Sequence, residues 1–307
     1  MIRKTESWRP GVADLISIAV VVVVLVWSYA STLAVLASRW SRDPNYSFGY
    51  LVVPIALAML WSRRERLNRS QMAPRWWGFL PLLALLGARA LFYEWNEQYL
   101  EHATFPLAVG ALALALGGWH LVRVAWPAIL FLFFMLPLPP SLNTFLANPL
   151  QRLATIGSVA VLQTIGLPVL ADGNVITVGA EPLEVAQACN GLSMLLSFVT
   201  LITAMVILIP RPFWERIVLL ASAIPIALLT NVLRIVVTAW CYNQFGHETG
   251  EKISHDAAGL AMPVIALVLA FAELRVLSWL VIEVEEAVPS TVRTRTAVRP
   301  SPSPRPS

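Results

Sequence analysis

The feature that most limits what this chain can fold into is a series of long apolar runs. Hydrophobic residues make up 57% of the 307 residues, and charged residues only 13%. The apolar residues gather in runs of roughly 17 to 26, which is the length a helix needs to cross a hydrocarbon core of about 30 Å. The sequence therefore predicts an integral membrane protein with an all-α membrane domain.

Eight runs meet this length, and each is predicted to be a transmembrane helix. They lie near residues 12–37, 46–62, 77–93, 102–119, 121–139, 189–209, 217–243 and 255–282. The first run lacks a following small-residue cleavage site, so we interpret it as a retained helix and not as a removed signal peptide. With no internal repeat evident, residues 1–283 are predicted to form one membrane domain.

The distribution of lysine and arginine predicts the orientation of these helices. The 22 basic residues exceed the 18 acidic ones, but they lie between the apolar runs and not on one compact face, which argues against a nucleic-acid partner. With both termini cytoplasmic, fifteen basic residues fall in inner segments, four in outer segments, and three (Arg89, Arg234 and Arg275) within the runs. The positive-inside rule therefore favours two cytoplasmic termini.

One long outer segment, residues 140–188, precedes the sixth run. Its first part, SLNTFLANPLQRLATIGSVAVLQTIG, has apolar residues every three or four positions, which predicts a helix lying at the membrane interface. In the next part, VLADGNVITVGAEPLEVA, Asp172 and Gly173 suit a turn between alternating residues, so we expect a short hairpin that leads to Cys189. Residues 284–307 are basic and rich in proline, and are predicted to be a disordered cytoplasmic tail.

Three residues with catalytic potential are predicted to share one membrane level. Cys189 opens the sixth run, Arg234 lies near the outer end of the seventh, and His255 opens the eighth. Asn231, Arg234 and Thr238 share one helical face and form a polar stripe toward the bundle. An arginine inside an apolar span costs about 2.5 to 3.5 kcal/mol on insertion scales, so it usually has a partner or a task.

These three residue types suit acyl transfer. A thiolate attacks a carbonyl, a histidine shuttles the proton, and a fixed cation stabilises the oxyanion of the tetrahedral intermediate. Structural alternatives stay open: Cys189 as a small apolar filler, Arg234 as a snorkelling side chain and His255 as a helix cap. Cys241 could also form a disulfide with Cys189 in an oxidising compartment, which would abolish the nucleophile.

Four short motifs carry a resemblance to a known family. The stretches ACNGL, NVLRI and SHDAAG stand at the outer ends of their runs, and RDPNYSFGYLVVPIALAMLW lies early in the chain. Together they resemble the exosortase and archaeosortase family over about residues 12 to 282. The resemblance implies a membrane cysteine transpeptidase or protease, with Cys189 as nucleophile, Arg234 as oxyanion stabiliser and His255 as general acid and base. Asn231, Asn190 and Gly191 are expected to support them, and no metal or cofactor is expected.

The chain departs from the family pattern at three places. Members often read YSHG where this chain has Phe48 in YSFG, so the chain lacks the histidine of that motif. Asn190 stands where a serine is more usual, which should matter less because this neighbour is not the nucleophile. Some members carry a soluble C-terminal domain where this chain has a short tail.

The resemblance also implies the substrate and the place of the reaction. The expected partners are membrane lipid and the C-terminal tails of exported proteins, each with a short motif such as Pro-Glu-Pro, a transmembrane helix and a basic cluster. The charge rule puts the basic end inside and the motif just outside the bacterial cytoplasmic membrane, at the level of Cys189. An extended proline-containing motif can enter a cleft between helices that a helical segment cannot enter.

Two other classes of function compete with this interpretation. A transporter or flippase could bind an anionic substrate at the outer vestibule, but it calls for a broken helix or an ionisable residue near the midplane. The sequence shows mainly Arg89, which Glu94 could neutralise. An intramembrane metalloprotease needs paired His and Glu ligands such as HExxH, which the sequence lacks.

Overall fold

A computed structural model shows a predominantly helical protein. It describes residues 11–67, 72, 76–173, 175–178, 181–184, 191–246, 264–265, 267–277 and 279. The helices are α1 Val12–Ser28, α2 Ala30–Arg42, α3 Gly49–Ser62, α4 Phe79–Glu94, α5 Gln98–Phe131, α6 Pro140–Thr164, α7 Leu192–Leu208 and α8 Phe213–Phe245. Three strands, β1 Val169–Asp172, β2 Val175–Val178 and β3 Glu181–Glu184, lie between α6 and α7.

The first predicted helix, residues 12–37, is broken. The axes of α1 and α2 differ by 68° across Tyr29, which corrects the prediction of one continuous span. The second half is amphipathic, with Thr32, Leu36 and Trp40 buried one turn apart along one face. Apolar residues on both sides of Tyr29 conceal this bend from a reading of run length alone.

The fourth and fifth predicted spans are two helical arms of α5. Gly118 has non-helical backbone angles (φ 64°, ψ −161°). A Cβ placed on Gly110 would lie 3.6 Å from the side chain of Ile129, so these two residues are close in space. They are nineteen residues apart in sequence, and a straight helix of that length would hold them about 28 Å apart. The chain therefore reverses at Gly118, close to the boundary that the sequence predicts.

Three of the described helices are long and apolar enough to cross a membrane. By length and composition they are Trp76–Glu94, Gln98–Met135, which contains the reversal at Gly118, and Phe213–Phe245. The bent pair Ile18–Ser28 and Ala30–Arg42 qualifies when counted as one span. Gly49–Ser62 and Leu192–Leu208 are shorter apolar helices. This is the architecture of an all-α membrane protein, while the count of eight spans stays a prediction.

The segment between α5 and α7 contains the predicted helix and more strand than expected. The predicted hairpin forms, with Asp172 paired to Val175 across the turn, but β3 also pairs with β2, so the sheet is a three-stranded antiparallel meander. Val169 and Ile176 are buried in a cluster with α6 and α8. The sheet is thereby packed against the helices that carry the candidate site.

Three segments lie close together at the end of the bundle predicted to be cytoplasmic. Burial lowers the pKa of Arg63 below its ordinary value, and the nearby charges of Arg66 and Arg216 lower it further. The backbone carbonyl of Arg66 accepts a hydrogen bond from His120 at 3.1 Å. Segments that the charge rule assigns to one side thus lie close together in space.

The eighth predicted span is described only in part. Residues 267–277 are helical, and Ala270 and Leu274 are buried against α7 and α8. Ser222 of α8 donates a hydrogen bond to the Glu273 carboxylate at 2.6 Å. The start of this span and the predicted tail, residues 284–307, lie outside the described residues.

Candidate functional site

The start of α7 touches α8 at the level predicted for the site. Gly191 precedes the first turn of α7 with φ +79°, a left-handed conformation that glycine adopts without steric cost. A Cβ at this position would lie 3.1 Å from Asn231 Nδ2 and 3.7 Å from Leu150 Cβ. Gly191 of ACNGL and Asn231 of NVLRI, two of the predicted supporting residues, are therefore in direct contact.

The predicted polar stripe lies along one side of α8. Asn231 is fully buried, Thr238 is buried and Arg234 is half-buried. Arg234 follows Asn231 by three residues, so the two side chains stand on neighbouring turns of the same face. The backbone of Arg234 is thus one helical turn from the contact between Asn231 and Gly191.

Two further segments surround the first turn of α7. Leu192 is fully buried against Ala147 and Leu150 of α6. A short 3-10 helix, Pro44–Tyr46, also packs against α7. The Tyr46 hydroxyl accepts a hydrogen bond from the N–H of Leu138 at 3.2 Å, which ties this segment to the chain entering α6. The candidate site is therefore enclosed by parts of the chain that are far apart in sequence.

The early motif RDPNYSFGY builds one wall of this site. Asp43 caps the 3-10 helix by accepting a hydrogen bond from the N–H of Asn45 at 3.0 Å. A Cβ on Gly49 would overlap the indole ring of Trp40, so glycine is needed for this close packing. Phe48 packs against the apolar cluster that contains Trp40 and Tyr46, where a phenyl ring fits better than an ionisable side chain.

Three of the predicted site residues, Cys189, Asn190 and His255, lie outside the described residues. Their predicted roles stay predictions. The Cys241 thiol is free and buried on α8. Cys241 is therefore not oxidised to a disulfide in this structure.

Arg89 belongs to a separate polar network at the bend between α1 and α2. Its Nε donates to Glu101 Oε1 at 3.2 Å, its Nη2 donates to Ser31 Oγ at 2.9 Å, and its Nη1 donates to the backbone carbonyl of Ser28. Thr32 donates to the same Glu101 oxygen at 2.8 Å. The partner of Arg89 is thus Glu101, and the pairing with Glu94 considered from the sequence is wrong.

This network bears on the transporter alternative. A broken helix beside an ionisable residue is what a substrate pathway calls for. Each terminal nitrogen of Arg89 and its Nε already contacts a protein group, and the cation also lies 4.6 Å from the Tyr29 ring centre. Arg89 therefore holds the bend in place, and the network supports a structural role.

Several polar side chains near the helix ends that are predicted to face outward were not singled out from the sequence. His102 is buried at the start of α5, and Asn45 and Asn143 each have a side-chain oxygen shielded from solvent. Polar residues near the ends of apolar runs are ordinary in a membrane protein sequence. These three residues differ from other polar residues near helix ends only in their burial, which depends on the neighbouring helices.

Comparison with known proteins identifies one family. The family model described as transmembrane exosortase (Exosortase_EpsH) matches residues 40–272. This range contains the early motif and the motifs ACNGL, NVLRI and SHDAAG. No curated protein and no solved structure matches the chain at a significant level.

Proposed function

The chain belongs to the transmembrane exosortase family, and from this premise we propose that it is a membrane cysteine transpeptidase or protease that removes the C-terminal sorting tails of exported proteins. The observation that carries the proposal is the contact between Gly191 and Asn231. It joins ACNGL to NVLRI, the motifs that contain the proposed nucleophile and the proposed oxyanion stabiliser.

Chain connectivity limits how far the nucleophile can be from this contact. Cys189 is two residues before Gly191, and two trans peptide units span at most about 7 Å. Arg234 is one turn from Asn231, where its planar set of donors could stabilise an oxyanion. In the proposed mechanism Cys189 attacks the scissile carbonyl, Arg234 stabilises the tetrahedral intermediate, and His255 moves the proton from the thiol to the leaving amine.

The proposed orientation places this site on the outer side of the cytoplasmic membrane. The segments that contain Arg63, Arg66 and Arg216 lie near one another, and the positive-inside rule would put these basic residues on the cytoplasmic side. On the opposite side, the indole N–H of Trp40 donates to the backbone carbonyl of Met135 at 3.0 Å. A tail that follows the same charge rule would present its short motif at this outer level.

The proposal is tested by co-expression with an exported reporter that ends in a Pro-Glu-Pro motif, a transmembrane helix and a basic cluster. The unsubstituted protein should remove the helix from the reporter, seen as a smaller product on a gel. Cys189→Ala and Cys189→Ser should abolish the product while the protein accumulates normally in the membrane, because the nucleophile is lost and little volume changes. Processing by Cys189→Ala would exclude the proposed mechanism.

A further inference from the structure

Two asparagines beside the candidate site each have a buried oxygen without a partner. Within the part of the chain that the structure describes, Asn45 Oδ1 and Asn143 Oδ1 are shielded from solvent and accept no hydrogen bond. A buried polar atom left in this state destabilises the folded protein, so native structures rarely keep one without a reason. A group supplied from outside the chain is one such reason.

Both asparagines belong to the segments that enclose the first turn of α7. Asn45 is the central residue of the 3-10 helix Pro44–Tyr46, which packs against α7. Asn143 precedes Ala147 by four residues and Leu150 by seven, so the three share the face of α6 that contacts Leu192. The hydrogen bond between Tyr46 and Leu138 holds these two segments next to each other.

The chemistry of a carboxamide matches the main chain of an extended peptide. Its oxygen accepts from a peptide N–H, and its NH₂ group donates to a peptide carbonyl. A substrate segment that is not helical has no internal partners for these groups, and at the membrane boundary little water is present to replace them. The protein must therefore supply hydrogen-bonding groups to any extended segment that it admits.

We infer that Asn143 and Asn45 are positioning residues that hydrogen-bond the main chain of the extended substrate segment beside the candidate nucleophile. The inference rests on the proposed function and adds to it the way in which the tail is held. Contacts to the main chain admit different side chains, so these two residues set the conformation of the segment and its register relative to Cys189.

The test uses Asn143→Leu, with Asn148→Leu as the matched control. Asn148 lies on the same helix, but it is exposed and lines an open surface cavity with Ser141, Thr144 and Phe145. The rate of reporter processing and the thermal midpoint in detergent are measured for both full-length variants. Capture of the uncleaved reporter is measured in a second set that also carries Cys189→Ala.

For Asn143→Leu we expect processing and capture to fall together by about three- to tenfold, the size of one net hydrogen bond. The thermal midpoint should stay equal or rise, because a buried oxygen without a partner is removed. Asn45→Ala should lower capture in the same way, and Asn148→Leu should change neither quantity by more than about twofold. If Asn143 served only folding, the thermal midpoint of Asn143→Leu would fall, and processing would fall only as folded protein is lost.

The inference is overturned if Asn143→Leu processes the reporter as well as Asn148→Leu does. It is also overturned if the loss of processing matches a loss of folded protein in both Asn143→Leu and the smaller Asn143→Ala. These results are distinct from failure of the proposed function, in which the unsubstituted protein itself leaves the reporter uncleaved.

Discussion

At the scale of single residues, Gly191 tests the contact between α7 and α8 most directly. An alanine at φ +79° is strained by about 1 to 2 kcal/mol, and its Cβ would also press on Asn231 at 3.1 Å. We expect Gly191→Ala to lower reporter processing by tenfold or more. Gly166→Ala is the matched control, because Gly166 has φ +85° with no atom within 4 Å of a built Cβ. Equal processing by the two variants would show that the contact with Asn231 is dispensable.

Arg234 separates the enzyme from the transporter at the same scale. Arg234→Lys keeps the charge but loses the planar set of donors, so cleavage should fall by about a hundred- to a thousandfold. Capture of the reporter should change far less, because the interaction strengthens only as the oxyanion forms. The measurement compares capture with cleavage in this variant. Near-normal cleavage, or an equal drop in both, would contradict the enzymatic role.

At the scale of secondary structure, the bend between α1 and α2 depends on the pair of Arg89 and Glu101. Both side chains are mostly buried, so removal of one charge leaves the other without its counterion. We expect Glu101→Gln to destabilise the protein by about 2 kcal/mol or more, measured as a lower thermal midpoint in detergent. Glu94→Gln is the control, since Glu94 is exposed on the last turn of α4. A similar loss in both variants would mean that Arg89 is not held by Glu101.

At the scale of the whole molecule, the proposed orientation predicts which surfaces an impermeant thiol reagent reaches. The background is Cys189→Ala with Cys241→Ala, which removes both native thiols. Ser141→Cys, exposed at the start of α6, should be labelled on intact spheroplasts. Glu65→Cys, exposed in the loop after α3, should be labelled only after the membrane is permeabilised. The reverse pattern would invert the topology and place the candidate site in the cytoplasm.

The sequence by itself determined the features that depend on local composition. Run length predicted the positions of the described helices after the first, broken span, including the reversal near Gly118. The Asp172–Gly173 turn was recognisable because turn preferences are set by the residues in the turn. The order of the short motifs identified the family, which the match over residues 40–272 confirms. These signals need no knowledge of the fold, because each depends on residues within a short segment or on the order of such segments along the chain.

Only the tertiary structure decided the features that depend on which segments meet. Four features depend on contacts between different elements. They are the bend at Tyr29, the pairing of Arg89 with Glu101, the third strand and the contact of Gly191 with Asn231. Glu94 is nearer to Arg89 in sequence, but the packing of α4 against α5 brings Glu101 to it instead. Likewise, Asn143 becomes a candidate only because α6 turns that face toward α7. Burial and hydrogen bonding are properties of packed surfaces, and the order of residues along the chain does not specify those surfaces directly.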